Sequence, residues 1–248
     1  MDNFNQNSSF FTTQEQAASQ TVARSFMANV FMWMFVALGI SAVFAFLFSN
    51  NLSLLSYLIS FETGKLNILG WIVMFAPLGF VLLMSFAYSR LSAPMLTLLF
   101  MLYAAINGIS FSFILLAYTA NSVLGCFLSA SAMFGVMAVM GYTTKKDLTS
   151  FGRILMMALI GIVIAMLINM FLKSDTMGYV ISIIGVMVFT GLTAYDVQKL
   201  KRIGAGIEYG DVPASEGKKL SILGALTLYL DFINIFLFLL RLFGSRRD

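Results

Sequence analysis

Apolar residues gather in seven long runs, at roughly 28–49, 68–89, 94–118, 122–142, 152–172, 178–198 and 219–243. Each is near the ~20 residues a helix needs to cross about 30 Å of hydrocarbon. The pattern predicts an all-α integral membrane protein with seven spans. Short connections make neighbouring helices antiparallel in a compact bundle. Residues 1–25 are rich in Asn, Gln, Ser and Thr, with neither a basic opening nor an early apolar core. They read as a polar, disordered tail and not as a cleavable signal peptide. Residues 26–248 then form one transmembrane domain. No internal repeat is visible, so an inverted-repeat transporter fold gains no support.

Composition strengthens this reading. Hydrophobic residues make up 60% of the chain and charged ones 10%, against about 45–50% and 25% in soluble domains. There is no histidine, which removes His-based catalysis, His-based zinc sites and the usual switch near neutral pH. Any pH response must come from carboxylates. The single cysteine, Cys126, excludes an internal disulfide and a Cys-based metal site. The net charge of +4 comes from cations beside the apolar runs; this is the positive-inside pattern and not a nucleic-acid surface.

That pattern orients the chain. Arg24, Arg90, Lys145, Lys146, Lys199, Lys201 and Arg202 share one side if every run crosses once, and the opposite connections carry only Glu62, Lys65, Lys173 and Asp175. The N-terminus is therefore expected in the cytoplasm. Arg246 and Arg247 fit poorly: either the last run re-enters without crossing, or the rule fails at this end. Ala104, Gly108 and Ser112, like Ser131 and Gly135, allow close helix approach. Pro77 should kink or loosen the second run.

Ionisable residues within a span cost at least ~2.5–3.5 kcal/mol at its centre. Asp231 lies twelve positions after Lys219 and ten before Arg241, and its short side chain cannot reach either membrane surface. Gly224, Thr227 and Asn234 share its helix face, a polar stripe that should face the bundle interior or a wet cavity. Asp196 lies near the end of the sixth run, with Lys199 three positions on. It reads equally well as an edge residue or as part of a site. Arg90 ends the second run, either as a cytoplasmic anchor or as a partner for Asp196 on the same side. Two carboxylates meeting in a poorly hydrated site cannot both ionise cheaply and would titrate as a unit. One difficulty is geometric. Arg202 lies about 9 Å past Asp196 along a helix and Lys219 about 18 Å before Asp231, so the two aspartates meet only if the last helix begins above the membrane surface or the basic residues of the sixth reach up to it.

The segments TGLTAYDVQKLKR and LTLYLDFINIFLFLLRLFG, with SRLSAP after the second run and KKDLTSFG (Lys145 to Gly152), resemble the Bax inhibitor-1, or transmembrane Bax inhibitor motif, family. The resemblance covers nearly the whole chain from about residue 22. It implies a seven-helix bundle with the last helix central. Family members are described as pH-sensitive calcium leaks and as cytoprotective regulators of cell death or membrane-protein quality control. By resemblance, Asp196 and Asp231 form a hydrogen-bonded pair that senses pH and lines the ion pathway. Arg90 is the latch that holds Asp196 in the closed state until protonation frees it. Calcium is the permeant ion, with no cofactor and no metal centre. The stretch 203–217 is longer than the connection expected in compact members, and it reads as a solvated loop.

Three functions compete. One is the proton-gated calcium pathway. A second is a non-transporting regulator that binds a membrane AAA protease or cell-death and stress partners, with the N-terminal tail as contact. The third, an intramembrane aspartyl protease, is disfavoured: the second Asp sits in Tyr-Leu-Asp, not Gly-x-Gly-Asp, and no Pro-Ala-Leu follows. No enzyme is expected. The compact chain without a retention signal points to a bacterial inner (cell) membrane.

Overall fold

The computed structural model describes residues 3–60 and 63–247, with backbone alone for 3–21, Ser85, Ser89, Ala214 and Ser215. The chain is almost wholly helical: α1 (Asn3–Asn50), α2 (Leu52–Leu55), α3 (Ile68–Ala87), α4 (Ala93–Ala117), α5 (Ala120–Thr143), α6 (Thr149–Leu172), α7 (Asp175–Glu208) and α8 (Ala214–Phe243). A small antiparallel pair, β1 (Ile59–Ser60) and β2 (Lys65–Leu66), lies between α2 and α3 with Ile59 opposite Leu66. Among the described residues six helices are long and apolar enough to cross a membrane: the Val22–Asn50 part of α1, α4, α5, α6, α7 and the Glu216–Phe243 part of α8. The apolar stretch of α3, Ile68–Met84, is shorter; the helix continues through Pro77. This is an all-α, multi-pass integral membrane protein. The polar stretch 1–25 falls mostly on residues whose side chains lie outside the described ones; along the backbone α1 is continuous from Asn3.

Burial differs sharply between helices. In α8, 72% of the most apolar window is buried, against 17% in α6 and 22% in α5. α8 packs against α1, α4, α5 and α7, while α6 packs on α7 and α3 on α4. The exposed faces of α3 and α6 carry large apolar side chains such as Phe75, Leu78, Phe86, Met157, Ile160 and Phe171, the surface a lipid solvent requires.

Close helix contacts rest on glycines where a Cβ has no room. At Gly108 it would meet the backbone of Ser41, which brings α4 against α1; at Gly141 it would meet Ala194, which brings α5 against α7. Gly108 was among the small residues read as a packing ridge. Gly135 was too, but it faces open space.

Two features of the sequence reading change. The stretch 203–217 is not a loop: α7 continues to Glu208, α8 begins at Ala214, and the connection is 209–213, with Gly210 at φ +81°. Ile203 and Ile207 pack on the hydrophobic core, which keeps this stretch helical. Both helices thus extend past the level of the two aspartates, and the geometric difficulty disappears. Secondly, α8 does not re-enter. It is an unbroken 30-residue helix, about 45 Å long, and the tail after it is bound to the α4–α5 connection. Thr119 N–H donates to Ser245 O and Arg247 N–H to Ala117 O, and Tyr118 bridges Arg246. Arg246 and Arg247 therefore sit at the opposite end of the bundle from the α5–α6 connection, which is tied to the end of α7.

Candidate functional site

α7 and α8 run antiparallel, and their polar interruptions meet. Asp196 and Asp231 are 9% and 4% exposed, and their side chains lie close enough to interact across the α7–α8 contact. Asp231 Oδ2 is buried with no hydrogen-bond partner among the described residues. A buried carboxyl left this way is costly.

Both aspartates line a cavity of about 580 Å³ between α6, α7 and α8, together with Tyr195, Lys199, Thr227 and Asn234. Thr227, Asp231 and Asn234 thus present the polar stripe to one space. Thr227 and Asn234 spend a donor on backbone carbonyls one turn back, Leu223 O and Leu230 O, which leaves their oxygens available to the cavity. A second cavity of about 420 Å³ opens on the other side of Asp196, between the end of α3 and helices α7 and α8. Asp196, Lys199, Thr227 and Leu230 line both.

Arg90 is placed elsewhere. It ends a 3-10 turn (Tyr88–Arg90) after α3, is exposed, and lines a depression with Gly79, Leu82, Leu83, Phe86 and Ala87. The structure brings Asp196 and Asp231 together and leaves Arg90 outside both cavities. The cation beside Asp196 is Lys199, one helical turn on. It was read as an edge partner, and its place in both cavities was missed; its i,i+3 spacing from Asp196 was the available signal. Tyr88 was missed as well. It lines the second cavity and donates to Glu216 on α8.

Phe238 stacks at a tilt on Phe189, with ring centroids 5.9 Å apart, and fills the space over Gly185. Arg241 then covers Gly178 near the start of α7.

On the opposite face of α8, Tyr229 is fully buried in a separate network. Its hydroxyl meets Ser41 Oγ at 2.7 Å and accepts from Asn107 Nδ2 at 3.1 Å, while Ser41 Oγ also reaches Ala104 O at 2.7 Å. These contacts tie α1, α4 and α8 together through groups that would otherwise be orphaned in hydrocarbon. Among the described residues no cluster of three or more metal-binding side chains occurs.

The family model described as "Inhibitor of apoptosis-promoting Bax1" matches residues 23–248, which include both aspartates, Lys199 and Arg90. The chain belongs to the Bax inhibitor-1 family. Within it, the chain is 46% identical to the inner membrane protein YbhL of Escherichia coli strain K12 over 100% of both chains. It is 40% identical to the uncharacterized protein RP147 of Rickettsia prowazekii over 96% of each. An uncharacterized protein of Deinococcus radiodurans is 39% identical over 95% of this chain and 96% of its own. The first of these is named as a membrane protein, and none of the three is named as an enzyme.

Proposed function

We propose that this Bax inhibitor-1 family member is a pH-sensitive calcium leak in a bacterial inner membrane, with the Asp196–Asp231 pair as sensor and pathway lining. The bundle has seven spans, α3 being the second, around a central last helix, with the N-terminus in the cytoplasm. The observation that carries the reading is the pair of buried carboxyl groups facing each other in a cavity between three helices, one oxygen of Asp231 unpartnered. Such a site attracts cations, and each proton it takes up lowers that attraction. The high burial of α8 supports a central last helix. The name of the Escherichia coli relative supports the inner membrane, and the basic α5–α6 connection with Lys199, Lys201 and Arg202 supports the orientation.

Arg90 is the latch of this proposal. It engages Asp196 when the end of α3 turns inward, and it leaves when the pair takes up a proton and loses a charge. Its exposed position on α3 is the released arrangement, in which Lys199 alone stands beside Asp196. Tyr195 also faces the site from α7. Calcium flux into liposomes carrying the purified protein tests the reading. Flux that changes with pH is expected. No flux at any pH overturns it in favour of the non-transporting regulator of a membrane protease or stress partner; removal of residues 1–22 would then abolish partner capture.

A further inference from the structure

The C-terminal arginines depart from the positive-inside pattern that most basic residues of the chain follow, and the fold shows how their backbone is held at that end. Residues 245–247 are held on the α4–α5 connection by two backbone hydrogen bonds, to Thr119 and Ala117, which together make the Tyr118–Arg246 bridge. Ser245 N–H also donates to Ser122 Oγ at 2.9 Å. Arg246 and Arg247 are exposed, and neither forms an ion pair with any described residue. A cationic segment fastened by its backbone, with no acidic partner for either arginine among the described residues, is arranged to receive an anion.

Toward the same end of the bundle lies an apolar groove of about 240 Å³ between α1, α4, α5 and α8, lined among others by Ala42, Phe46, Ile114, Leu115, Phe127 and Phe236. Leu115 lies less than one turn of α4 from Tyr118, and Val123, also in the lining, follows Ser122 directly. The groove therefore reaches toward the stretch of chain that the tail pairs with. Phe46 and Phe127 are 65% and 40% exposed, so the groove opens outward on the face presented to the bilayer. It is separate from the aspartate cavity and shares no lining residue with it.

The geometry points to an anionic phospholipid site at this end of the bundle, with an acyl chain in the groove and the phosphate between Arg246, Arg247 and the bound loop. Charge complementarity selects the headgroup: a guanidinium binds phosphate through paired donors. The apolar lining selects a lipid over free phosphate. The site also accounts for two arginines on the side where basic residues are otherwise scarce, because the headgroup offsets their charge.

Native mass spectrometry of the full chain from nanodiscs of mixed phosphatidylglycerol and phosphatidylcholine tests this. The wild type is expected to retain phosphatidylglycerol preferentially, and Arg246→Gln/Arg247→Gln to reduce that preference about tenfold. Ala42→Phe, at an exposed groove position with both arginines intact, is expected to lower retention of the lipid. Inorganic phosphate is expected to leave the melting temperature in detergent unchanged where phosphatidylglycerol raises it. Unaltered preference in the double variant, unaltered retention in Ala42→Phe, or equal stabilisation by phosphate would each overturn the proposal.

Discussion

Tyr88 Oη donates a hydrogen bond to Glu216 Oε2, joining the end of α3 to the start of α8 across 128 positions of sequence. Lys219 completes the contact, 3.5 Å from Glu216 and 5.6 Å above the Tyr88 ring. Tyr88 lines the second cavity with Ile203 and Leu220, and the cluster lies at that end, away from Asp196, where Gly217 packs on Ile207. Partial burial, and then the bond to Glu216, push the Tyr88 phenol up to about 12, so it stays a neutral donor at every physiological pH.

Tyr88→Phe should therefore loosen the end of α3 and leave the rest of the bundle intact. The bond is solvent-screened on the Glu216 side, so its loss should raise the population of a detached α3 only modestly. Hydrogen exchange of α3 amides checks this, with faster exchange in the variant confined to residues 80–90. If the calcium reading holds, resting flux rises with it.

The α5–α7 contact allows no side chain at residue 141, because a Cβ there would run into the Ala194 backbone. Gly141→Leu should separate the two helices and cost roughly 1–3 kcal/mol or more. The control is Gly135→Leu, where nothing lies in the way. Thermal unfolding in detergent should show a large drop for the first and little change for the second.

Tyr229→Phe removes the hydroxyl shared by Ser41 and Asn107. Each keeps another partner, Ala104 O and Tyr103 Oη respectively, so the loss should be only about 1 kcal/mol. Urea or thermal titration measures it, and a loss of several kcal/mol would show that the network does more than join α1, α4 and α8.

Outside the membrane, Asp147 is held well below the usual carboxylate range by the Thr149 hydroxyl first and the Arg202 guanidinium second. A carboxylate depressed in the folded state contributes its stability in full above its unfolded value of about 3.9. That contribution fades as pH falls from there towards the native value. Melting temperatures should be insensitive to this pair from about pH 5 upward and fall below about pH 4, and Asp147→Asn should flatten that acid limb. The pair is exposed and its effect small, so it makes a useful control: any change near neutral pH belongs to other groups.

The legibility of the chain follows from what hydropathy can report. α6 was readable almost to its ends, 152–172 against Thr149–Leu172, because its apolar run coincides with the helix. α7 was read to residue 198 yet runs to Glu208, since a helix does not stop where the bilayer does. Asp231 was conspicuous because a charge in an apolar run is costly, and its stripe with Thr227 and Asn234 gave the correct face. Tyr229 left no such trace. It lies two positions from Asp231, on the opposite face of α8, and its partners Ser41 and Asn107 are 188 and 122 positions away. Arg90 shows another limit: sequence places it at the right end of the bundle but cannot report which way the last turn of α3 faces.

The central claim is that the Asp196–Asp231 pair controls a cation pathway, and calcium flux into liposomes from about pH 6 to pH 8, beside Asp231→Asn, tests it most directly. Flux that varies with pH in the wild type and loses that variation in the variant is the predicted result. The same pH profile in both proteins would contradict it.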